Sequence, residues 1–92
     1  DQLVLMQNYP NPFNPSTTIS YILPEASEIT LSVYNLKGQL VRTLVEGLKP
    51  SGLHQVVWDG KDKLNRQAAS GVYFIRLQSG KTSKTRKMLL MK

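Results

Sequence analysis

The sequence predicts an all-β fold, an antiparallel β-sandwich of about seven strands, and three observations predict it. Apolar residues recur at every second position in several short runs, the period that turns one face of a strand toward a core. Clusters of Pro, Gly, Asn, Asp and Ser separate those runs at about the spacing of sandwich strands. No segment of the 92 residues carries a convincing helical period.

The elements follow in chain order. Asn8-Tyr9-Pro10-Asn11-Pro12-Phe13-Asn14-Pro15 places three prolines within six residues, each fixing φ and pushing its predecessor out of the helical region, so this segment is expected to be extended. Ile19, Tyr21 and Leu23 alternate up to a Pro24-Glu25 turn, and Ile29, Leu31 and Val33 alternate after it. Asn35-Leu36-Lys37-Gly38 is a turn leading into the β-rich Leu40–Val45. Pro50-Ser51-Gly52 resets the chain, and His54, Val56 and Trp58 alternate until Asp59-Gly60 opens a polar loop. The last pair is a hairpin, Val72 to Leu77 and Thr82 to Met91 about Ser79-Gly80, with Met88 and Leu90 on one face.

These are six strands, with a candidate seventh at Leu3–Met6. An Ig-like or fibronectin III-like sandwich is the economical architecture, with residues 1–16 as an extended Pro/Asn-rich linker and residues 17–92 as the sandwich. The expected core is Ile19, Tyr21, Ile29, Leu31, Val33, Leu44, Val56, Trp58, Tyr73, Ile75 and Leu77.

Length allows one domain, which buries roughly 60–65% of its unfolded surface. There is no cysteine for disulfides or thiolate metal sites, and no apolar run approaches the ~20 residues that span a bilayer. The chain begins at Asp1 without a charged-then-apolar leader, so an export signal is expected upstream in a longer precursor. Charge is uneven: residues 1–36 hold three acids and no base, a charge of −3, whereas 37–92 hold twelve bases and three acids, a charge of +9. The bases are dispersed among strands and turns, which argues against a nucleic-acid stripe, but Lys81, Lys84, Arg86, Lys87 and Lys92 crowd the last twelve residues.

Catalytic chemistry finds little to work with. The single histidine, His54, shares strand parity with Val56 and Trp58, the position of a packed residue rather than a base, and the six acids lie mostly in turns. Asp59, Asp62 and Asn65 could offer oxygens to Ca²⁺, but Lys61, Lys63 and Arg66 would repel a cation, and a turn stabilised by Asx side chains is the better reading. Trp58 and Tyr73 fall on inward faces, leaving Phe74 and Tyr34 as a thin aromatic platform for a sugar. The tail Lys84–Lys92, basic with an apolar ending, reads equally as a charge-protected edge strand or as a strip for strand-addition recognition.

Five ordered blocks give the chain a relative. Asn8–Ile19, Val33–Val41, Val57-Trp58-Asp59-Gly60, Ala69–Phe74 and Lys87-Met88-Leu89-Leu90 closely resemble the type A C-terminal sorting domain of the type IX secretion system, an Ig-like module related to that of flagellar hook-capping proteins. The resemblance implies a non-catalytic address tail without a cofactor, on an N-terminal cargo domain of the same precursor. It implies passage through the periplasm, recognition by outer-membrane secretion machinery and a surface sortase, and delivery to the cell surface or medium. The matching positions are Pro10, Asn11 and Pro12 where the linker meets the domain, Gly71 and Tyr73 on the late strand, and Lys87, Met88, Leu89, Leu90 and Lys92 at the terminal strip. Gly71 and Tyr73 also have structural readings, a strand-opening glycine and a core tyrosine. Asp62–Gln67 departs from the Asp-Asn-Gly-type turn of related domains, which weakens the calcium reading further. The alternatives are a structural Ig-like module as in hook assembly and an accessory carbohydrate-binding module.

Overall fold

Alternating burial along Thr17–Leu23 shows how the pattern becomes structure: Thr17, Ile19, Tyr21 and Leu23 are buried and Thr18, Ser20 and Ile22 between them are not. A computed structural model describes residues 2–91. It contains β1 (Val4–Leu5), β2 (Thr17–Leu23), β3 (Ser27–Asn35), β4 (Leu40–Lys49), β5 (Gly52–Trp58), β6 (Gly71–Ser79) and β7 (Thr82–Leu90). All pairings are antiparallel, in a three-stranded sheet ordered β1-β2-β5 and a four-stranded sheet ordered β4-β3-β6-β7. The expected all-β sandwich of seven strands is the fold. In the constant-type immunoglobulin arrangement the fourth strand sits in the sheet of the first, second and fifth; here β4 pairs with β3, giving three strands facing four.

The inner faces meet around Trp58, whose ring lies 5.5 Å from Phe13 and 5.4 Å from Tyr73, tilted or edge-on as aromatic quadrupoles prefer. Ile19, Leu23, Ile29, Leu31, Val33, Ile75, Leu77, Met88 and Leu90 fill the space between the sheets. Two expected core residues are only partly buried. Leu31 pairs with Val45 and Ser32 with Thr43, so Leu44 is the extra residue of a β-bulge and packs at the margin. Val56 points inward but from an edge strand, which among the described residues pairs with β2 alone.

Residues 1–16, expected as a linker, are part of the sandwich over their described length. Leu3, Leu5 and Phe13 are core residues, β1 pairs with β2, and Tyr9 bridges Thr18. Buried Asn8 organises the proline turn: its Nδ2 donates to the Pro10 carbonyl (3.1 Å) and to Thr17 Oγ1 (3.0 Å), and Thr17 Oγ1 donates to the same carbonyl (2.8 Å). Satisfying these buried polar atoms lets the segment lie against the core at little cost.

Candidate functional site

The β6–β7 hairpin brings most of the sequence-selected residues together. Its register pairs Gly71 with Leu90, Val72 with Leu89, Tyr73 with Met88 and Phe74 with Lys87. Strand alternation then divides them: Tyr73, Met88 and Leu90 point into the core, while Val72, Phe74, Lys87 and Leu89 face outward. Met88 and Leu90 have no exposed surface, which corrects the expectation of a continuous terminal strip; of Lys87–Leu90, Lys87 and the 38% exposed Leu89 are the two that face solvent. Lys92 lies outside the described residues.

The Asn/Pro segment is laced along the outer edge of β7. Leu89 N–H donates to Asn11 Oδ1 (3.0 Å), Phe13 N–H to the Leu89 carbonyl (3.0 Å) and Met91 N–H to the Phe13 carbonyl (2.9 Å). Gln7 Nε2 donates to the Lys87 carbonyl (2.8 Å), and Arg86 Nε reaches the Leu5 carbonyl (2.9 Å). Of the two readings of the tail, strand addition requires a vacant edge, and from Arg86 to Met91 the chain's own residues 5–13 occupy it. Asn11 thus meets the terminal strip directly, whereas Pro10 and Pro12 are exposed and shape the turn that presents it.

Gly71 and Tyr73 have structural surroundings. Gly71 opens β6 with a φ of +152° that side-chain-bearing residues rarely adopt. The Tyr73 hydroxyl donates a 2.6 Å hydrogen bond to the Ala69 carbonyl, four residues upstream, the arrangement of the tyrosine corner of sandwich folds. Burial pushes the Tyr73 phenol above its ordinary pKa.

The two aspartates among the calcium candidates accept hydrogen bonds from the chain's own donors. Asp59 Oδ1 accepts from Arg42 Nη1 (3.2 Å) and the Lys61 N–H (3.0 Å). Asp62 Oδ1 accepts the N–H groups of Leu64 and Arg66 (both 2.9 Å), and its Oδ2 accepts from Arg66 Nε (3.2 Å). The Arg66 N–H bond is the main cause holding the Asp62 carboxyl below its ordinary pKa; partial desolvation opposes it, and the Leu64 N–H and Arg66 guanidinium add to it. Asn65 follows at a φ of +64°, so the loop is built as an Asx turn. His54 stacks on Tyr21 (5.2 Å between centroids), with Nε2 2.8 Å from the Pro50 carbonyl.

What faces solvent on the four-stranded sheet is a row of side chains. Leu40 pairs with Tyr34, Tyr34 with Phe74, and Phe74 with Lys87, so the row crosses all four strands, with Val72 and Leu89 beside it. Tyr34, Leu36, Phe74, Arg76 and Thr85 line a shallow hollow on this face. Such an aromatic and aliphatic surface edged by cations can hold an apolar side chain beside an anionic group. Sequence reasoning separated Tyr34 and Phe74 correctly as outward but did not foresee that β3–β6 pairing makes them neighbours.

The comparisons with known proteins bear on this architecture. The FlgD Ig-like domain family matches residues 13–83. A search of curated proteins found no match. Among solved structures, FlgD from P. aeruginosa is 28% identical with a TM-score of 0.63, covering 80% of this chain and 58% of its own. Dimeric latent PorU from Porphyromonas gingivalis is 20% identical with a TM-score of 0.74, covering 99% of this chain and 10% of its own. PorZ of the same organism, an essential bacterial surface component of its type IX secretion system, is 20% identical with a TM-score of 0.64, covering 98% of this chain and 11% of its own. The chain therefore spans little more than half of the first of these proteins and about a tenth of the other two. With the sandwich and its tyrosine corner in place and the family matched over most of its length, this chain belongs to the FlgD Ig-like domain family.

Proposed function

We propose that this chain is a non-catalytic sorting module at the C-terminal end of an exported protein, read by outer-membrane machinery of the type IX secretion system and by a surface sortase. The observation that carries the reading is the convergence of three of the resembling blocks. Asn11 and Phe13 bind the main chain of Leu89 and Met91, and Gly71–Phe74 pairs with Lys87–Leu90, so one edge gathers the motif residues around exposed Lys87 and Leu89. The fold likeness to PorU and PorZ over nearly the whole chain supports it. On this reading the module passes the periplasm with its N-terminal cargo and reaches the cell surface or medium.

The test fuses residues 1–92 behind a fluorescent protein bearing an export leader, in a host with a type IX apparatus. Arrival of fluorescence at the surface or in the medium is expected; retention in the periplasm contradicts the proposal.

A second reading, a structural Ig-like module as in hook assembly, is favoured by the family match and by the 28% identity to P. aeruginosa FlgD. A hook-cap region upstream in the precursor favours it, whereas a secreted enzyme upstream favours sorting.

A further inference from the structure

Each sheet of an open sandwich has two edges, and three of the four here are guarded. The outer edge of β7 is covered by residues 5–13 from Arg86 onward, and the part before it carries Lys84. The β4 edge carries Arg42, Glu46 and Lys49, is broken by two register shifts, and contains Gly47 at a φ of +128°. The β1 edge is two residues long. Charge, bulges, brevity and covering segments are the devices by which proteins keep sheet edges from pairing.

β5 has none of these devices. It pairs with β2 alone, through seven consecutive residue pairs from Gly52 to Trp58 without a shift. No Lys, Arg, Asp or Glu occurs between Gly52 and Trp58 in a chain of net charge +6. Its solvent face shows Leu53 (61% exposed) and Val57 (59% exposed) on either side of Gln55. None of the loop main-chain hydrogen bonds among the described residues reaches it.

We infer that the β5 edge is a self-association site, at which a second copy of this chain adds its own β5 antiparallel to form a continuous six-stranded sheet. The occupant follows from the strand's symmetry. Outward Leu53, Gln55 and Val57 read apolar, amide, apolar in either direction, so a twofold axis at Gln55 sets each Leu53 against the other copy's Val57 and Gln55 against itself. The same axis brings the Asp59 end of one strand to the Ser51 turn of the other and sets Lys49 towards Lys61, so the contact rests on the apolar and amide side chains of the strand itself and not on charge at its ends. The contact is short, below the ~1,200 Å² of stable interfaces, and therefore gives a weak, reversible dimer.

The test is sedimentation of the full 92-residue chain from micromolar to about millimolar concentration. The native chain is expected to pass from monomer to dimer, with amide shifts that depend on concentration confined to β5. The double variants L53K/V57K and L53E/V57E, altered only at exposed positions, are each expected to self-associate more weakly by on the order of tenfold or more, because like charges then stand opposite one another. Mixed, the two are expected to form a heterodimer that salt weakens. A native chain that stays monomeric to millimolar concentration overturns the proposal and leaves the edge to a strand of another protein. Charge variants that dimerise as the native chain does overturn it as well. Should a variant fail to fold, shifts of the native chain that map to β4 or β7 instead of β5 have the same force.

Discussion

The Leu89 amide donates a 3.0 Å hydrogen bond to the Asn11 side chain across 78 residues of sequence. Leu89 lies in β7, the last strand of the sandwich, and Asn11 in the segment before β2, so this bond ties the two ends of the chain together. Asn11→Ala is expected to cost about 1 kcal/mol and to speed hydrogen exchange at Leu89 and Met91 selectively. Unchanged exchange there would mean that the lacing does not hold the terminal strand.

Phe13 anchors the same segment through Trp58. Phe13→Ala is expected to lose about 3–5 kcal/mol, a large part of the stability of a domain this size, measured as a drop in the urea midpoint. A loss under about 1 kcal/mol would show the segment to be a loosely attached linker after all.

Tyr73→Phe removes the bond to the Ala69 carbonyl and is expected to cost about 1 kcal/mol with little change in packing. It also has a pH signature. A phenol whose folded pKa is raised contributes stability that is present below the unfolded value and lost as pH rises through the folded one. The alkaline fall in melting temperature should therefore be shallower in Tyr73→Phe, with Tyr21, likewise raised by burial, sustaining the remainder.

Asp62 gives the acid counterpart. Its lowered carboxyl contributes above the ordinary aspartate pKa, and the contribution fades as pH falls through the folded value. In an acid titration the Leu64 and Arg66 amide resonances are expected to move together at that transition. Asp62→Asn keeps an oxygen acceptor for the turn and should abolish the transition; its persistence would assign it to another group.

Much of this architecture was legible because alternation is local. Ile19 and Tyr21, or Ile29, Leu31 and Val33, declare their inward face within five residues. Phe13 does not, because one aromatic among prolines has no period, and its burial depends on Trp58 forty-five residues away. The inward turn of Met88 and Leu90 was visible as a shared face, yet Lys84, Arg86 and Lys87 beside them suggested an exposed strip. The bulge at Leu44 has no sequence signal comparable to a glycine or proline. The outward neighbours Tyr34 and Phe74 required the β3–β6 register, which is a property of the whole sheet.

The most direct test of the sorting account compares two fluorescent fusions in a type IX-competent host, one with the native module and one with K87A/L89A. Both side chains lie on the outer face, away from the core, so the variant should still fold, and its melting temperature is measured alongside. The native fusion is expected at the surface or in the medium and the variant in the periplasm. Equal export of the two would remove Lys87 and Leu89 from recognition, and periplasmic retention of both would contradict the account itself.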